Sequence, residues 1–386
     1  MNHRNVPMVI AALACLTLAL AGCSDSDDSQ GVTPPIDREG PREALVFNQS
    51  SDNISSVDIA TGTVTPDWGS LAIGPTANRA MIRGNNAYVI NSGAFPSGTG
   101  AGIQVIDLDT RAVTNTIPLP DGSNPWDLAF VSDSKLYVTC LYDNVVVIVN
   151  PLLQGADAVV DTIALPVFDG PEGPVPAGPE GIVVAGGYAY TANTGFDAAT
   201  FGYMPGTVSV IDTATDDVVD LIYTSQVNPQ DLAVGPNGRI HVVCTGDYWS
   251  AFGVLDVIDP ETRSVESSVA LGGSPGNITI AGDYALIGAG GSDGCDLHMV
   301  DVAAQSVVHD NSDPWILAET TDWCTVGKIA GGQGPGVTWA YVPTGVWGTD
   351  ARLFELHLAP GGPTVSRSFD LTGAADMPAA VGLLYE

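Results

Sequence analysis

The chain alternates short apolar runs, rich in valine and isoleucine, with polar turns, and this pattern recurs along its length. One recurring unit is a β-branched run that ends in Asp, followed by a turn with Thr or Gly and a returning apolar run. Val and Ile favour a pleated, mostly buried strand, and an Asp side chain caps the tight turn after it. Each unit therefore predicts a β-hairpin.

The hairpin unit recurs at intervals of about 50 residues, which is typical of a repeat architecture. Its seven Asp-equivalent positions are Asp58, Asp107, Asn150, Asp212, Asp259, Asp301 and His357. A second unit, a turn that ends in proline before a short apolar run, predicts the innermost strands. It occurs at Pro75, Pro125, Pro179, Pro229, Pro275 and Pro378, and the segment around Trp323 supplies the seventh copy without a proline.

These units, with a third strand between them, predict an all-β fold over residues 43–386. We expect a seven-bladed β-propeller of four-stranded antiparallel blades. The first hairpin has no inner strand before it, and the last inner strand, Ala379 to Tyr385, has no hairpin after it. The C-terminal strand is therefore expected to complete the first blade and close the ring, which removes both free sheet edges.

The strand between the two units has clear copies in Tyr137-Val138-Thr139-Cys140 and Tyr190-Thr191-Ala192-Asn193. Together with the proline and Asp units, it resembles the YVTN family of β-propeller repeats, from about Ala44 to the chain end. The resemblance implies the fold and leaves the function open, since propellers host unrelated activities.

The first 22 residues contain an apolar run without any acid, and this run ends in Leu20-Ala21-Gly22-Cys23. The segment resembles a bacterial lipobox, which implies that a signal peptide (1–22) is removed and that Cys23 is lipidated. Ser24 then implies an outer-membrane lipoprotein facing the periplasm or the cell surface. An ordinary signal peptide is the alternative. The acidic, proline-bearing residues 23–42 predict a flexible tether.

The chain carries 44 acidic and 12 basic residues, a net charge of −32. This charge argues against nucleic acid as a partner, because phosphate binding needs clustered Lys and Arg. It favours the attraction of cations, although adaptation to a salty or extracellular habitat is the alternative.

The loops into the inner strands and the loops between second and third strands are expected on one face of the ring. This face collects most loop aromatics, and it predicts a platform for a ring-bearing ligand. Its expected binding residues are Phe95, Trp126, Phe201, Tyr203, Tyr248, Trp249, Trp323 and Trp347. The alternative is that these side chains fold back and plug their own loops.

Polar residues follow the prolines of four inner strands: Asp127, Glu180, Asp231 and Asn277. If their side chains converge on the axis, their oxygen atoms suit a calcium ion. The alternative, which we favour, is that they cap turns.

Among the remaining cysteines, Cys295 and Cys324 are expected to form a disulfide, because an exported protein meets an oxidising compartment. Cys140 and Cys244 are expected to be buried free thiols. The sequence contains no motif for nucleophilic catalysis, so we favour binding over an enzymatic activity.

We therefore expect a monomeric lipoprotein that binds a large ring-bearing small molecule, such as a corrinoid, on the aromatic face. Propeller lipoproteins that capture corrinoids are similar in architecture. The alternatives are a metal-dependent enzyme similar to propeller lactonases or hydrolases, and a scaffold for a surface protein partner.

Overall fold

The computed structural model describes residues 40–290, 294–320, 322–334, 337–346, 350–359, 362–373 and 377–385. The signal segment, Cys23, almost all of the tether and Trp347 lie outside the described residues. The described part contains seven antiparallel sheets arranged as the blades of a propeller, and this confirms the predicted fold. No helix among these residues is long and apolar enough to cross a membrane.

The innermost strands of neighbouring blades pack on one another in a closed ring around the axis. In blade order, they are Pro378–Leu384, Ala77–Arg83, Pro125–Ser132, Pro179–Ala185, Pro229–Val234, Ile278–Ala281 and Ala330–Gly334. The second strands are Glu43–Asn48, Asn86–Asn91, Lys135–Cys140, Tyr188–Asn193, Ile240–Cys244, Tyr284–Gly288 and Val337–Val346.

The third strands are Asn53–Asp58, Gly102–Asp107, Val145–Val149, Thr207–Asp212, Val254–Asp259, Gly294–Asp301 and Asp350–Ala359. The outer strands are Val64–Thr65, Ala112–Pro118, Val159–Ala164, Val218–Tyr223, Ser264–Ala270, Ser306–His309 and Gly362–Asp370. Blade 6 also contains Trp315–Glu319, and blade 7 contains Cys324–Val326. Two 3-10 helices, Trp68–Ser70 and Gly155–Ala158, lie outside the sheets.

The ring closes as the sequence predicts. Pro378–Leu384 pairs antiparallel with Glu43–Asn48, with Ala44 opposite Leu383. Leu45 and Phe47 are fully buried there, so the closure joins the hydrophobic core as well as the backbone ladder. Closing the ring through the chain ends leaves neither strand as an exposed edge.

Local chemistry explains the repeated turns. The carboxylate of Asp58 accepts hydrogen bonds from the backbone and hydroxyl of Thr61, at 2.7 and 2.9 Å. Asp107 makes the same pair with Thr110, at 2.7 Å each. At the other end of the blades, the residue before the inner-strand proline is left-handed at Asn124, Gly178 and Asn228. Gly and Asn tolerate that conformation, which turns the chain sharply into the inner strand.

Two short hairpins are added to the blades. Val167–Gly170 pairs with Gly173–Pro176 in the connection between blades 3 and 4. Phe196–Asp197 pairs with Gly202–Tyr203 in the loop between the second and third strands of blade 4. The two hairpins contact each other above the ring and wall off the space described next.

Candidate functional site

A cavity of about 690 Å³ opens over blades 3 to 5, on the face that carries the loops into the inner strands. We call it the loop-face cavity. It is bounded by the two added hairpins and by the ends of the inner strands of blades 4 and 5. The residues used below that line it are Tyr142, Glu180, Phe196, Asp197, Tyr203, Gln230 and Tyr248.

Aromatic rings form much of the cavity wall. The rings of Phe196 and Tyr203 pack with their centroids 5.4 Å apart. The hydroxyl of Tyr248 accepts a hydrogen bond from the Gln230 amide at 3.0 Å, which holds this ring over the inner strand of blade 5. Tyr142 contributes a further, mostly exposed ring from the short loop of blade 3. Such edge and tilted packing leaves ring faces free for a ligand.

Glu180 lies at the base of the cavity and is only 7 % exposed. Its backbone carbonyl accepts a hydrogen bond from Thr139 of blade 3 at 2.6 Å, which fixes the strand end. Its side-chain Oε2, however, has no hydrogen-bond partner among the described residues. A buried carboxyl oxygen without a hydrogen-bond partner lowers the stability of the folded state, so its presence at the cavity indicates a candidate role in binding.

Burial raises the pKa of Glu180 to about 8, while the Arg79 charge opposes this shift and the Asp231 charge adds to it. The carboxyl group is therefore mostly protonated at neutral pH. Burial, and then the neighbouring Tyr248 and Glu180, raise the pKa of Tyr203 to about 12, so this phenol stays neutral. The base of the cavity thus combines neutral rings with one carboxyl group whose charge can change near neutral pH.

The other predicted axial acids do not form a metal site with Glu180. Two basic side chains lie among them: Arg79 Nη2 is 3.6 Å from Asp231 Oδ2, and Lys328 Nζ is 2.5 Å from the same oxygen. Arg79 Nε also lies 4.0 Å from Asp127 Oδ1. The positive charges neutralise these acids directly. Among the described residues, no three His, Cys, Asp or Glu side chains group as metal ligands.

Asp127 and Asp231 instead cap strands and join blades. Asp231 accepts hydrogen bonds from the amides of Leu232, at 2.9 Å, and Ile278 in the next blade, at 3.0 Å. Asp127 does the same for Leu128, at 2.8 Å, and Ile182, at 3.3 Å. These bonds give Asp127 and Asp231 the capping role that the sequence favours over a calcium site. Asn277 bonds the Val326 carbonyl at 2.7 Å and is part of the same bracing.

The structure divides the predicted aromatic platform. Tyr203 and Tyr248 line the cavity, whereas Trp126 is half-buried outside it. Four others are exposed and do not line the cavity: Phe95, Phe201, Trp249 and Trp323, of which Phe95 is 96 % and Trp249 83 % exposed. Phe201 packs edge-on against the cavity-lining Phe196, with ring centroids 6.1 Å apart. Trp347 lies outside the described residues. The platform is therefore narrower than the loop composition predicts, and two of its members sit in a walled site.

Sequence reasoning missed Tyr142 and Phe196, and it gave Glu180 a different role. Tyr142 lies in a short loop, between Lys135–Cys140 and Val145–Val149, whereas the aromatic prediction rests on the long loops. Phe196 stands in one of those long loops but is not among the predicted binding residues. A signal was present in both cases, since each residue is an aromatic between the second and third strands of its blade.

The cysteines take structural positions. Cys295 and Cys324 form a disulfide that links blades 6 and 7, with Cα atoms 5.3 Å apart. Cys140 and Cys244 are buried and free. Burial raises the pKa of Cys140 to about 12, so its thiol is unreactive at neutral pH.

No protein-family profile matches the chain, and no curated protein matches it in sequence. Solved structures match its fold. A streptogramin B lyase shares 13 % identity over 79 % of this chain and 92 % of its own, with a TM-score of 0.54. Virginiamycin B lyase from Staphylococcus aureus with quinupristin shares 11 % over 78 % and 92 %, at 0.56. Hydrazine synthase of Kuenenia stuttgartiensis shares 19 % over 71 % and 73 %, at 0.52. Such identities establish a shared propeller fold and leave the activity open.

Proposed function

We propose that this protein is a binding propeller that holds a ring-bearing small molecule in the loop-face cavity. The observation that carries the proposal is a cavity of about 690 Å³ lined by aromatic rings, with a buried, unpartnered carboxyl group at its base. Small-molecule sites are typically apolar clefts of about 300–1,000 Å³ with a few placed polar groups. The loop-face cavity fits that description.

Ring stacking supplies the affinity in this proposal. Each well-placed aromatic contact contributes about 0.5–1.5 kcal/mol beyond the burial of its area. Tyr203, Tyr248 and Phe196 offer three such rings around one space. The lyase whose structure contains quinupristin is a fold relative with a bound organic molecule, and it supports the proposal by analogy alone.

The cellular setting is a second part of the proposal. The lipobox-like residues Leu20 to Cys23 favour a lipid anchor on Cys23 and an outer-membrane position, where the cavity would meet ligands outside the cytoplasm. Radiolabelled palmitate should enter the wild-type protein in cells and should be absent from the Cys23→Ser variant. Equal labelling of both would contradict the anchor and leave the cavity unaffected.

Native mass spectrometry of the protein isolated from its host tests binding directly. We expect a co-purifying organic molecule, or binding from a panel of cobalamin, haem, glycans and aromatic amines followed by calorimetry. Tyr248→Ala should weaken binding about tenfold, because one aromatic contact is lost. Trp249→Ala, on the neighbouring exposed residue, is the control and should bind like the wild type. Equal losses in both variants, or no ligand in either experiment, would contradict the proposal.

A further inference from the structure

The loop-face cavity has a one-sided charge. Glu180 and Asp197 line it, and none of its described lining residues is Lys, Arg or His. The basic residues nearest to its base, Arg79 and Lys328, are directed to the axial acids. A ligand in the cavity therefore meets negative or neutral groups only.

Asp197 supplies a fixed negative charge. The hydroxyl of Thr200 donates to its carboxylate at 2.7 Å, and the amide of Ala199 donates at 2.9 Å. These bonds lower the pKa of Asp197, the Thr200 hydroxyl most strongly, so the side chain is ionised at neutral pH. The pair of acids thus consists of one permanent carboxylate at the wall and one titrating carboxyl group, Glu180, at the base.

We infer that the cavity binds an organic cation, a ring-bearing amine or quaternary ammonium whose positive group lies against Glu180. The inference rests on the proposed function and names the chemical class of its ligand. The Arg79 charge favours the ionised form of Glu180 but does not offset the effect of burial, and an ammonium group against the carboxyl group would add a second favourable charge. The rings of Tyr142, Phe196, Tyr203 and Tyr248 add ring faces, which attract cations by about 0.5–2 kcal/mol each.

The net charge of −32 acts in the same direction over longer distances. A strongly acidic protein raises the local concentration of cations and accelerates their encounter with the surface. An anionic ligand would be repelled both by the net charge of the protein and by Asp197 in the cavity. A neutral ligand would accept a hydrogen bond from protonated Glu180, and it would gain nothing from Asp197 or from the long-range field.

Binding of a cation should be coupled to proton release from Glu180. Several titratable and charged groups surround Glu180. Arg79 and Lys328 lie across the axis, and Asp127 and Asp231 lie on the flanking inner strands. Tyr203 and Tyr248 lie above Glu180, and the adjacent second strands carry Lys135, Tyr137, Cys140, Tyr188 and Tyr190. Burial raises the pKa of the tyrosines at 137, 190, 203 and 248 and of Cys140, so these groups stay protonated near neutrality. Glu180 is thus the group expected to change charge there.

The sign of the pH dependence follows from this arrangement. The cation prefers ionised Glu180, and with a pKa of about 8 the ionised fraction rises roughly tenfold between pH 6 and pH 7. Affinity for a permanent cation should rise by the same factor and level off above pH 8. A neutral ligand should bind equally or slightly better at low pH.

One ring with three charges provides the test: trimethyl(naphthalen-1-ylmethyl)ammonium, 1-naphthalenemethanol and 1-naphthaleneacetate, titrated calorimetrically from pH 6 to 9. We expect the quaternary ammonium to bind at least about tenfold more tightly than the alcohol at pH 9. Proton release on binding, detected in buffers of different ionisation enthalpy, should be large near pH 7 and small at pH 9, where Glu180 is already mostly ionised. The acetate should bind most weakly. A quaternary probe removes any titration of the ligand itself.

Glu180→Gln is the decisive variant, and Asp133→Asn is its control. At pH 9 both remove one negative charge, but Asp133 is an exposed residue, with a side chain 85 % accessible, that pairs with Arg83 at the opposite end of the blades. Glu180→Gln should lose the preference for the cation at pH 9 and match the wild type at pH 6, while Asp133→Asn should follow the wild type throughout. If the alcohol binds as tightly as the ammonium, or if Glu180→Gln keeps the pH dependence, the proposed preference for organic cations is wrong. The proposal that the cavity binds ring-bearing compounds would still stand. If no ring-bearing compound binds, both proposals fail.

Discussion

Replacing Glu180 by Gln should make the folded protein more stable at alkaline pH than the wild type. The side chain is almost fully buried in the inner strand of blade 4, and its Oε2 has no partner among the described residues. Gln is nearly isosteric with protonated Glu and has no charge to bury. The variant therefore removes the cost of ionising a buried carboxyl group and little else.

The magnitude follows from the pKa of Glu180, which is about 8 in the folded protein against 4.5 as the reference value. A carboxyl group with a raised folded pKa contributes stability that is fully present below about pH 4.5. That contribution is lost as the pH rises through about 8. At 1.36 kcal/mol per pKa unit, the wild type should lose about 5 kcal/mol relative to Glu180→Gln between pH 4 and pH 9.

Urea unfolding of both proteins at several pH values measures this difference. Other titrating groups are common to the two chains, so their effects cancel in the comparison. Asp133→Asn provides the control for a changed net charge; it keeps Glu180, so its stability should follow the same pH dependence as that of the wild type. A difference between wild type and Glu180→Gln that stays constant from pH 4 to 9 would refute the raised pKa and, with it, the picture of a carboxyl group held without a partner.

Three further changes test the interactions that hold the propeller together: an axial ion pair, the disulfide and the ring closure. Asp231→Asn should lower the free energy of unfolding by about 3 kcal/mol in urea titrations, because the ammonium of Lys328 loses its buried counter-charge. An unchanged midpoint of urea unfolding would contradict the pairing of Asp231 with Lys328. Replacing Cys295 and Cys324 by Ser should cost about 3–4 kcal/mol, since the disulfide closes a loop with a sequence separation of 29 residues, and wild-type protein melted in reductant should show the same loss. A chain truncated after Met377 lacks the closing strand and should aggregate or melt without cooperativity in circular dichroism; a cooperative monomer would show that ring closure is dispensable.

The propeller could be predicted from the sequence because its determinants are local and repeated. Asp58 and Asp107 each cap a turn with a Thr three residues later, and the same spacing marks other blades. The unpaired first hairpin and last inner strand then required the chain ends to meet. The turn caps involve only residues that are close in sequence. The ring closure is the one predicted contact between residues that are distant in sequence.

The candidate site could be predicted only in part, because it depends on contacts that periodicity does not encode. The cavity exists because Gly173–Pro176 and Phe196–Asp197, from two different insertions, meet above the ring. The sequence shows that Asp127 and Asp231 begin inner strands, but their partners Arg79 and Lys328 come from other blades, far away along the chain. Sequence spacing shows which residues begin inner strands and does not show which charges face each other across them.

A crystal structure of the protein with the tightest-binding ring compound tests the central claim most directly. We predict that its ring lies between Tyr203 and Tyr248 in the loop-face cavity, with a positively charged nitrogen within hydrogen-bonding or contact distance of the Glu180 carboxyl group. A ligand located instead on the exposed loop aromatics, such as Trp249 and Trp323, or a ligand in the cavity that makes no contact with the Glu180 carboxyl group, would contradict the site as it is proposed.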